Sequence, residues 1–191
     1  LKYAEWYYGP QQWMLHTLTG SLNNSTAAYD DARVIVSYQD YKESRHSRKL
    51  DADFRNHQEE NVKIAGLNAD FQKQFREKNF IFYGLEVVYN NVNSQADNEN
   101  IDDQTTVPAV TRYPDGKNHY TSLAAYFNYK RNMNDWITLL AGARYTYVRL
   151  YSSLEDTTFY PFPYEDITMN NGSLNGSLGL TWRPSTKWQV N

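Results

Sequence analysis

The stretch FIFYGLEVVYNN, Phe80 to Asn91, constrains this chain more than any other. Its alternate positions Ile81, Tyr83, Leu85, Val87 and Tyr89 are apolar or aromatic, whereas the intervening set holds Gly84, Glu86 and Asn90. Successive side chains of a strand point to opposite faces, so this segment sets an oily, uncharged face against one bearing a carboxylate and an amide. The same period recurs in segments of roughly ten residues, with little helical periodicity between them. It predicts strands over Trp13–Leu22, Ala32–Lys42, Lys63–Gln72, Phe80–Asn91, Tyr120–Tyr129, Trp136–Val148 and Ser173–Arg183, with an eighth beginning at Trp188.

Parity assigns the faces. Val34, Val36 and Tyr38 oppose Arg33, Ser37 and Gln39; Ala65, Leu67, Ala69 and Phe71 oppose Asn68, Asp70 and Gln72. Leu123, Ala125, Phe127 and Tyr129 oppose Ser122, Asn128 and Lys130, while Ile137, Leu139, Ala141, Tyr145 and Tyr147 oppose Thr138, Gly142, Arg144 and Thr146. Leu174, Leu178, Leu180 and Trp182 oppose Ser173, Asn175, Ser177, Thr181 and Arg183, and only WMLHTLTGSL is ambiguous. Proline cannot donate to a ladder, and all six prolines are expected between these strands.

The connections alternate in length. Asn23–Asp31, Lys73–Asn79, Arg131–Asp135 and Pro184–Lys187 are short; Glu43–Val62, Asn91–His119 and Arg149–Gly172 are long and polar. A soluble sandwich has no reason to gather its long loops at one end, although its second sheet would equally cover an oily face. An up-and-down barrel in an outer membrane has such a reason, with short turns on one side of the bilayer and long loops on the other. Hydrocarbon offers the backbone no partners, so strands cross it only in a closed ladder. Tyr38, Tyr129, Trp136, Tyr147 and Trp182 near strand ends suit interfacial aromatic belts.

Composition narrows the function. The chain has 191 residues, 17 Tyr and 5 Trp, no Cys, and a net charge of -3. Basic residues are scattered among acids, which argues against nucleic acid as a partner. The lack of Cys excludes disulfide scaffolds, zinc ribbons and thiol catalysis. No apolar run approaches the ~18 residues of a membrane helix. The start at Leu1 and the stop within WQVN suggest a segment of a longer protein.

Six blocks carry a family likeness: EWYYGPQQW (Glu5–Trp13), VSYQDYKESRHSRKL (Val36–Leu50), YGLEVVYNNVNSQA (Tyr83–Ala96), TRYPDGKNHYTSLAAYFNY (Thr111–Tyr129), AGARYTYVRLYSS (Ala141–Ser153) and NGSLNGSLGLTWRPS (Asn171–Ser185). In order and spacing they resemble the TonB-dependent receptors of bacterial outer membranes, especially those of Bacteroides-like bacteria. The resemblance implies a plugged barrel of ~22 strands. Such a barrel imports a scarce nutrient, a ferric siderophore, haem, cobalamin or a glycan, and is driven by an inner-membrane energy-transducing complex. No plug or TonB-contacting box lies within the sequence, which is then about a third of the barrel. The fold class expected is all-β, an antiparallel up-and-down transmembrane segment of seven to eight strands. The expected role is uptake without covalent chemistry or a cofactor. A self-contained eight-stranded barrel with a structural or adhesive role is the alternative.

Several residue groups are candidates for chemistry. TFYPFPYED places Phe159, Tyr160, Phe162 and Tyr164 in a proline-stiffened loop, suited to stacking on a ligand or to loop packing. Arg33, Asp70, Glu86, Asn90, Asn128, Arg144 and Arg183 share the polar parity expected to face the lumen, where they line a channel, touch a plug or pair among themselves. QADNENIDDQ offers Asp97, Glu99, Asp102 and Asp103 as oxygen ligands for calcium, without the EF-hand order. The segment Glu43–Asn61 holds His46, Asp51, Asp53 and His57, residues that could serve as an acid/base pair or as metal ligands; a solvated loop is the default and an outer-membrane hydrolase the alternative. His16 and His119 stand alone.

Overall fold

A computed structural model describes residues 2–191. Its elements are β1 (Tyr3–Tyr8), β2 (Gln12–Asn23), β3 (Asp31–Lys49), β4 (Phe54–Phe75), β5 (Asn79–Asn100), β6 (Thr106–Pro108), β7 (Asn118–Asn132), β8 (Ile137–Ser153), β9 (Asp166–Ser185) and β10 (Trp188–Val190). All belong to one antiparallel sheet in which β3, β4, β5, β7, β8, β9 and β10 follow in order. β1 and β2 both pair with β3, one beside its distal half and the other beside its proximal half, with Gly9 and Pro10 between them. They act as one interrupted strand. Among the described residues no ladder joins β10 to β1 or β2.

The register lines the faces up across the sheet. Val34, Ala69, Leu85, Ala125, Tyr145 and Leu174 form one cross-strand row, and Val36, Leu67, Val87, Leu123 and Tyr147 form the next. Paired residues share a face, so the apolar parity of every strand falls on one side. No second layer covers it. Leu85 is 55% exposed and Leu178 is 85% exposed, while the buried apolar residues of the described chain are only Ala32, Ala109, Ala124 and Leu154. A soluble sandwich is therefore not the fold: this sheet lacks a core of its own and has an oily surface that water would not tolerate. The ambiguous first strand is settled by pairing, which puts His16, Leu18 and Leu22 beside Tyr38, Val36 and Ala32 on the apolar face.

Ten steps along β5, from Ile81 to Asn91, cover ~33 Å of strand. At a tilt of ~40° this becomes the ~25 Å of an apolar girdle. Aromatic contacts mark both borders. Phe71 stacks on Tyr83 near the short turns with ring centres 5.1 Å apart, and Tyr89, His119 and Tyr151 stack in series at the other border. His119 is thus part of a ring row and does not stand alone.

The strands overrun the expected limits. β4 and β5 each have 22 residues, about twice what a bilayer requires. The expected long loop Glu43–Val62 is instead the top of a β3–β4 hairpin closed at residues 50–53, where Asp51 takes a left-handed φ of 60° and the Ala52 N–H donates to the Lys49 carbonyl. The other two long connections shrink to residues 101–117, which include β6, and 154–165. Two prolines also fall inside strands. Pro108 ends the short edge strand β6, and Pro184 lies beyond Trp182, the last residue of β9 paired with β8, so neither removes a ladder bond from the sheet interior.

Candidate functional site

On the polar face, Arg33, Asp70, Gly84, Tyr126, Arg144 and Asn175 occupy one cross-strand row. Tyr126 reaches over Gly84 to donate its hydroxyl to Asp70 Oδ1 at 2.6 Å. Only glycine permits that path: a Cβ at position 84 would stand 2.6 Å from the Tyr126 ring and 2.5 Å from the Ala69 carbonyl oxygen. One diagonal step away, Arg144 Nη2 donates to Glu86 Oε1 at 2.8 Å. Asn90, Asn128 and Arg183 lie on the same side by register, with Asn128 opposite Gly142 and Arg183 Nε bonded to Gln189 Oε1 at 2.8 Å. Shallow hollows of about 300 Å³ beside Arg33 and Asp70 and about 380 Å³ beside Arg144 and Asn128 open from this lattice. Sequence reasoning missed an apolar island on this face, where Tyr120, Val148, Leu150 and Met169 border a hollow of about 410 Å³. Val148 and Leu150 continue the parity of Arg144 and Thr146, which was the available signal.

Beyond the aromatic border both faces of the hairpins are polar. On the lumen parity, Tyr41 donates to Glu43, and Arg112 from the 101–117 connection bridges Glu43 and Glu60 at 2.5 and 3.1 Å. The Tyr41 hydrogen bond, followed by the Arg112 contact, holds the Glu43 carboxyl below its usual range, and the same bond raises the Tyr41 phenol. Glu60 is 3% exposed, so Arg112 supplies the cation that makes its burial tolerable. On the opposite parity, Glu5 accepts from Arg55 at 2.7 Å and from Arg48 at 2.8 Å, which holds its carboxyl down to about 2. Arg55 also reaches Glu99, whose carboxylate accepts from His57 Nε2 at 3.0 Å. These two clusters staple the tip of the hairpin to β1 on one side and to a loop on the other.

The four loop aromatics have different environments. Tyr160 docks its hydroxyl on Thr111 and on the Tyr113 carbonyl, and Phe159 is half-buried. Phe162 and Tyr164 stack in parallel, ring centres 5.3 Å apart, and are 49% and 46% exposed. Asp97, Glu99, Asp102 and Asp103 do not converge. Asp97 and Glu99 sit on β5, Glu99 is engaged by Arg55 and His57, and Asp103 accepts from Thr105. Among the described residues no three His, Cys, Asp or Glu side chains gather as a metal site. His46 and His57, expected in a loop, lie instead on β3 and β4 as a cross-strand pair, with Asp51 and Asp53 in the turn.

Solved structures share this architecture at low identity. A copper transporter, OprC, aligns with a TM-score of 0.78 and 9% identity over 94% of this chain and 29% of its own. The ferric yersiniabactin uptake receptor FyuA from Yersinia pestis aligns at 0.66 with 16% identity, over 94% of this chain and 27% of its own. The unliganded ferric citrate transporter FecA aligns at 0.62 with 10% identity, over 94% and 26%. The chain therefore spans under a third of the length of each. No curated protein matches it in sequence. The sequence pattern of the Outer membrane protein beta-barrel family matches residues 15–190, in agreement with a coreless meander whose apolar face needs lipid. The chain belongs to that family, and its place is the bacterial outer membrane.

Proposed function

We propose that residues 1–191 are part of the barrel wall of a TonB-dependent receptor, an outer-membrane transporter that captures a scarce nutrient outside and admits it through a plugged lumen. One observation carries the reading: the charged lattice of Asp70, Tyr126, Glu86 and Arg144 lies on the side opposite the lipid-demanding face. In this reading Arg33, Asp70, Glu86, Asn90, Asn128, Arg144 and Arg183 face the lumen and meet the plug, which lies elsewhere in the protein. The likeness to uptake proteins for copper, ferric yersiniabactin and ferric citrate supports transport. Phe162 and Tyr164 form the ligand-contacting part of the rim, and Tyr160 holds that loop in place. The ligand is a compact nutrient, such as a ferric siderophore, haem, cobalamin or a glycan, and energy arrives through TonB. The open ladder between β10 and β1–β2 favours a larger barrel over a self-contained eight-stranded one.

The test is uptake by cells expressing the intact protein, offered labelled ferric siderophores, haem, cobalamin and oligosaccharides, with and without a protonophore. Accumulation of one ligand class that stops when the proton gradient is collapsed is the expected result. Accumulation that persists unchanged under the protonophore would mark a passive pore and overturn the reading.

A further inference from the structure

The His46–His57 pair has a hydrogen-bonding pattern that no pair of neutral imidazoles satisfies. Their Nδ1 atoms face one another at 2.5 Å. His46 Nε2 lies 2.8 Å from the Gly9 carbonyl oxygen, which can only accept, so that nitrogen carries a hydrogen. Ser44 Oγ, 3.0 Å away, spends its own hydrogen on the Pro10 carbonyl and leaves a lone pair toward the same Nε2. His57 Nε2 lies 3.0 Å from the Glu99 carboxylate, which is ion-paired with Arg55 and is likewise an acceptor. Both Nε2 atoms therefore carry hydrogen, and the two Nδ1 atoms converge on one gap, where a hydrogen on either would make that ring an imidazolium. Facing lone pairs repel, so the gap is a place for a cation.

We propose that His46 Nδ1 and His57 Nδ1 form a two-nitrogen site for a late first-row transition metal, with copper preferred over zinc. Imidazole nitrogens suit both metals, and copper stands at the top of the affinity order for such donors. Metal–nitrogen bonds of ~2.0 Å require the two atoms to separate to roughly 4 Å for an in-line ion. The surroundings match what metal-ligating histidines have elsewhere: each ring's other nitrogen is tied to a carboxylate or a carbonyl, which fixes the tautomer and the ring plane. Tyr7 stacks on His46 with ring centres 4.7 Å apart and fixes it from the other side. The positive charge nearby is largely spoken for, because Arg48 and Arg55 are bonded to Glu5 and Glu99. His46 is 9% exposed and the His57 side chain 19%, enough for an ion to enter from the His57 side.

The probe is the metal alone. Tag-free intact protein in detergent is titrated with copper(II), and separately with zinc(II), against a chromophoric chelator. One copper per protein is expected, bound more tightly than zinc. His46→Gln and His57→Gln each weaken copper binding by roughly 100-fold or more, and Glu99→Ala weakens it ~10–100-fold by releasing the ring it orients. Heat-modifiable electrophoretic mobility reports whether each variant still forms the barrel. Copper binding that survives either histidine replacement in a folded variant, no stoichiometric copper in the native protein, or unchanged binding in Glu99→Ala each overturns the proposal. None of these outcomes depends on which nutrient crosses the barrel.

Discussion

Gly84→Ala is the sharpest probe of the polar face, because its cost is set by two groups it never replaces, the Tyr126 ring and the Ala69 carbonyl. The added methyl stands 2.6 Å from Tyr126 Cε1, well inside contact distance, so the ring must leave its position over β5. Leaving breaks the 2.6 Å bond to Asp70, a hydrogen bond to a charged group worth ~1.5–3 kcal/mol. The face is open to water, so the low end applies, and crowding against the Ala69 carbonyl adds ~1 kcal/mol. Tyr126→Phe removes the same bond without the clash and costs ~1.5 kcal/mol. If Gly84→Ala has already displaced the ring, Tyr126→Phe in that background costs less than ~0.5 kcal/mol, a coupling of ~1 kcal/mol. Urea unfolding of the intact barrel in lipid vesicles, followed by tryptophan fluorescence, measures all four corners of the cycle. Equal costs of Tyr126→Phe in both backgrounds would refute the claim that glycine is there to let the tyrosine cross.

Leu85→Arg, in the middle of the apolar row, should cost ~2–4 kcal/mol in the same unfolding assay, whereas Ser177→Arg on the opposite parity should cost ~1 kcal/mol or less; the reverse order would exchange the two faces. Phe162→Ala and Tyr164→Ala should each weaken ligand capture by about 1 kcal/mol, roughly 5-fold, in equilibrium binding and leave unfolding unchanged. Tyr160→Phe should instead raise backbone hydrogen exchange in residues 111–113 and 156–160, since its hydroxyl ties those loops together. Glu5 has a folded-state carboxyl at about 2 against an ordinary 4.5, so its grip on β1 is complete above ~4.5 and fades as pH falls toward 2. Hydrogen exchange of Trp6–Tyr8, corrected for intrinsic rate, should stay flat from pH 7 to ~4.5 and rise below it, with no such rise in Glu5→Gln, whose protection is already reduced at pH 7.

Parity alone placed Leu85, Val87 and Leu123 together on one side and Glu86 and Arg144 on the other, and the register agrees residue by residue. That worked because hydrocarbon enforces alternation: each lipid-facing position must be apolar, and a one-residue slip would turn the whole strand inside out. The polar contacts were not legible in the same way. Tyr126 and Asp70 are 56 positions apart and meet only because β5 offers a glycine between them. The β3–β4 tip was equally opaque, since Leu50, Asp51, Ala52 and Asp53 make a turn without glycine or proline, through the left-handed conformation that aspartate tolerates.

The same ladder runs through two solvents, and the change of solvent explains where sequence reasoning failed. Below the row Lys63–Asn91–His119, β4 and β5 alternate between oil and water, so the period of two is plain. Above it, Glu59, Glu60, Asn61, Asn93 and Gln95 supply polar groups to both faces, and a strand wet on both sides has no hydrophobic period to detect. Its persistence must then come from elsewhere. Water competes for every exposed backbone bond there, but β1 and β5 flank the β3–β4 hairpin, so the overhang is a sheet four strands wide. The ion-pair clusters add cross-links to that sheet: Glu5 with Arg48 and Arg55 ties β1 across β3 to β4, and Arg112 with Glu43 and Glu60 clamps the neighbouring loop onto the reverse side. Charge thus adds above the membrane to what strand pairing supplies, and the rim is held in part by the residues that made it look like a loop.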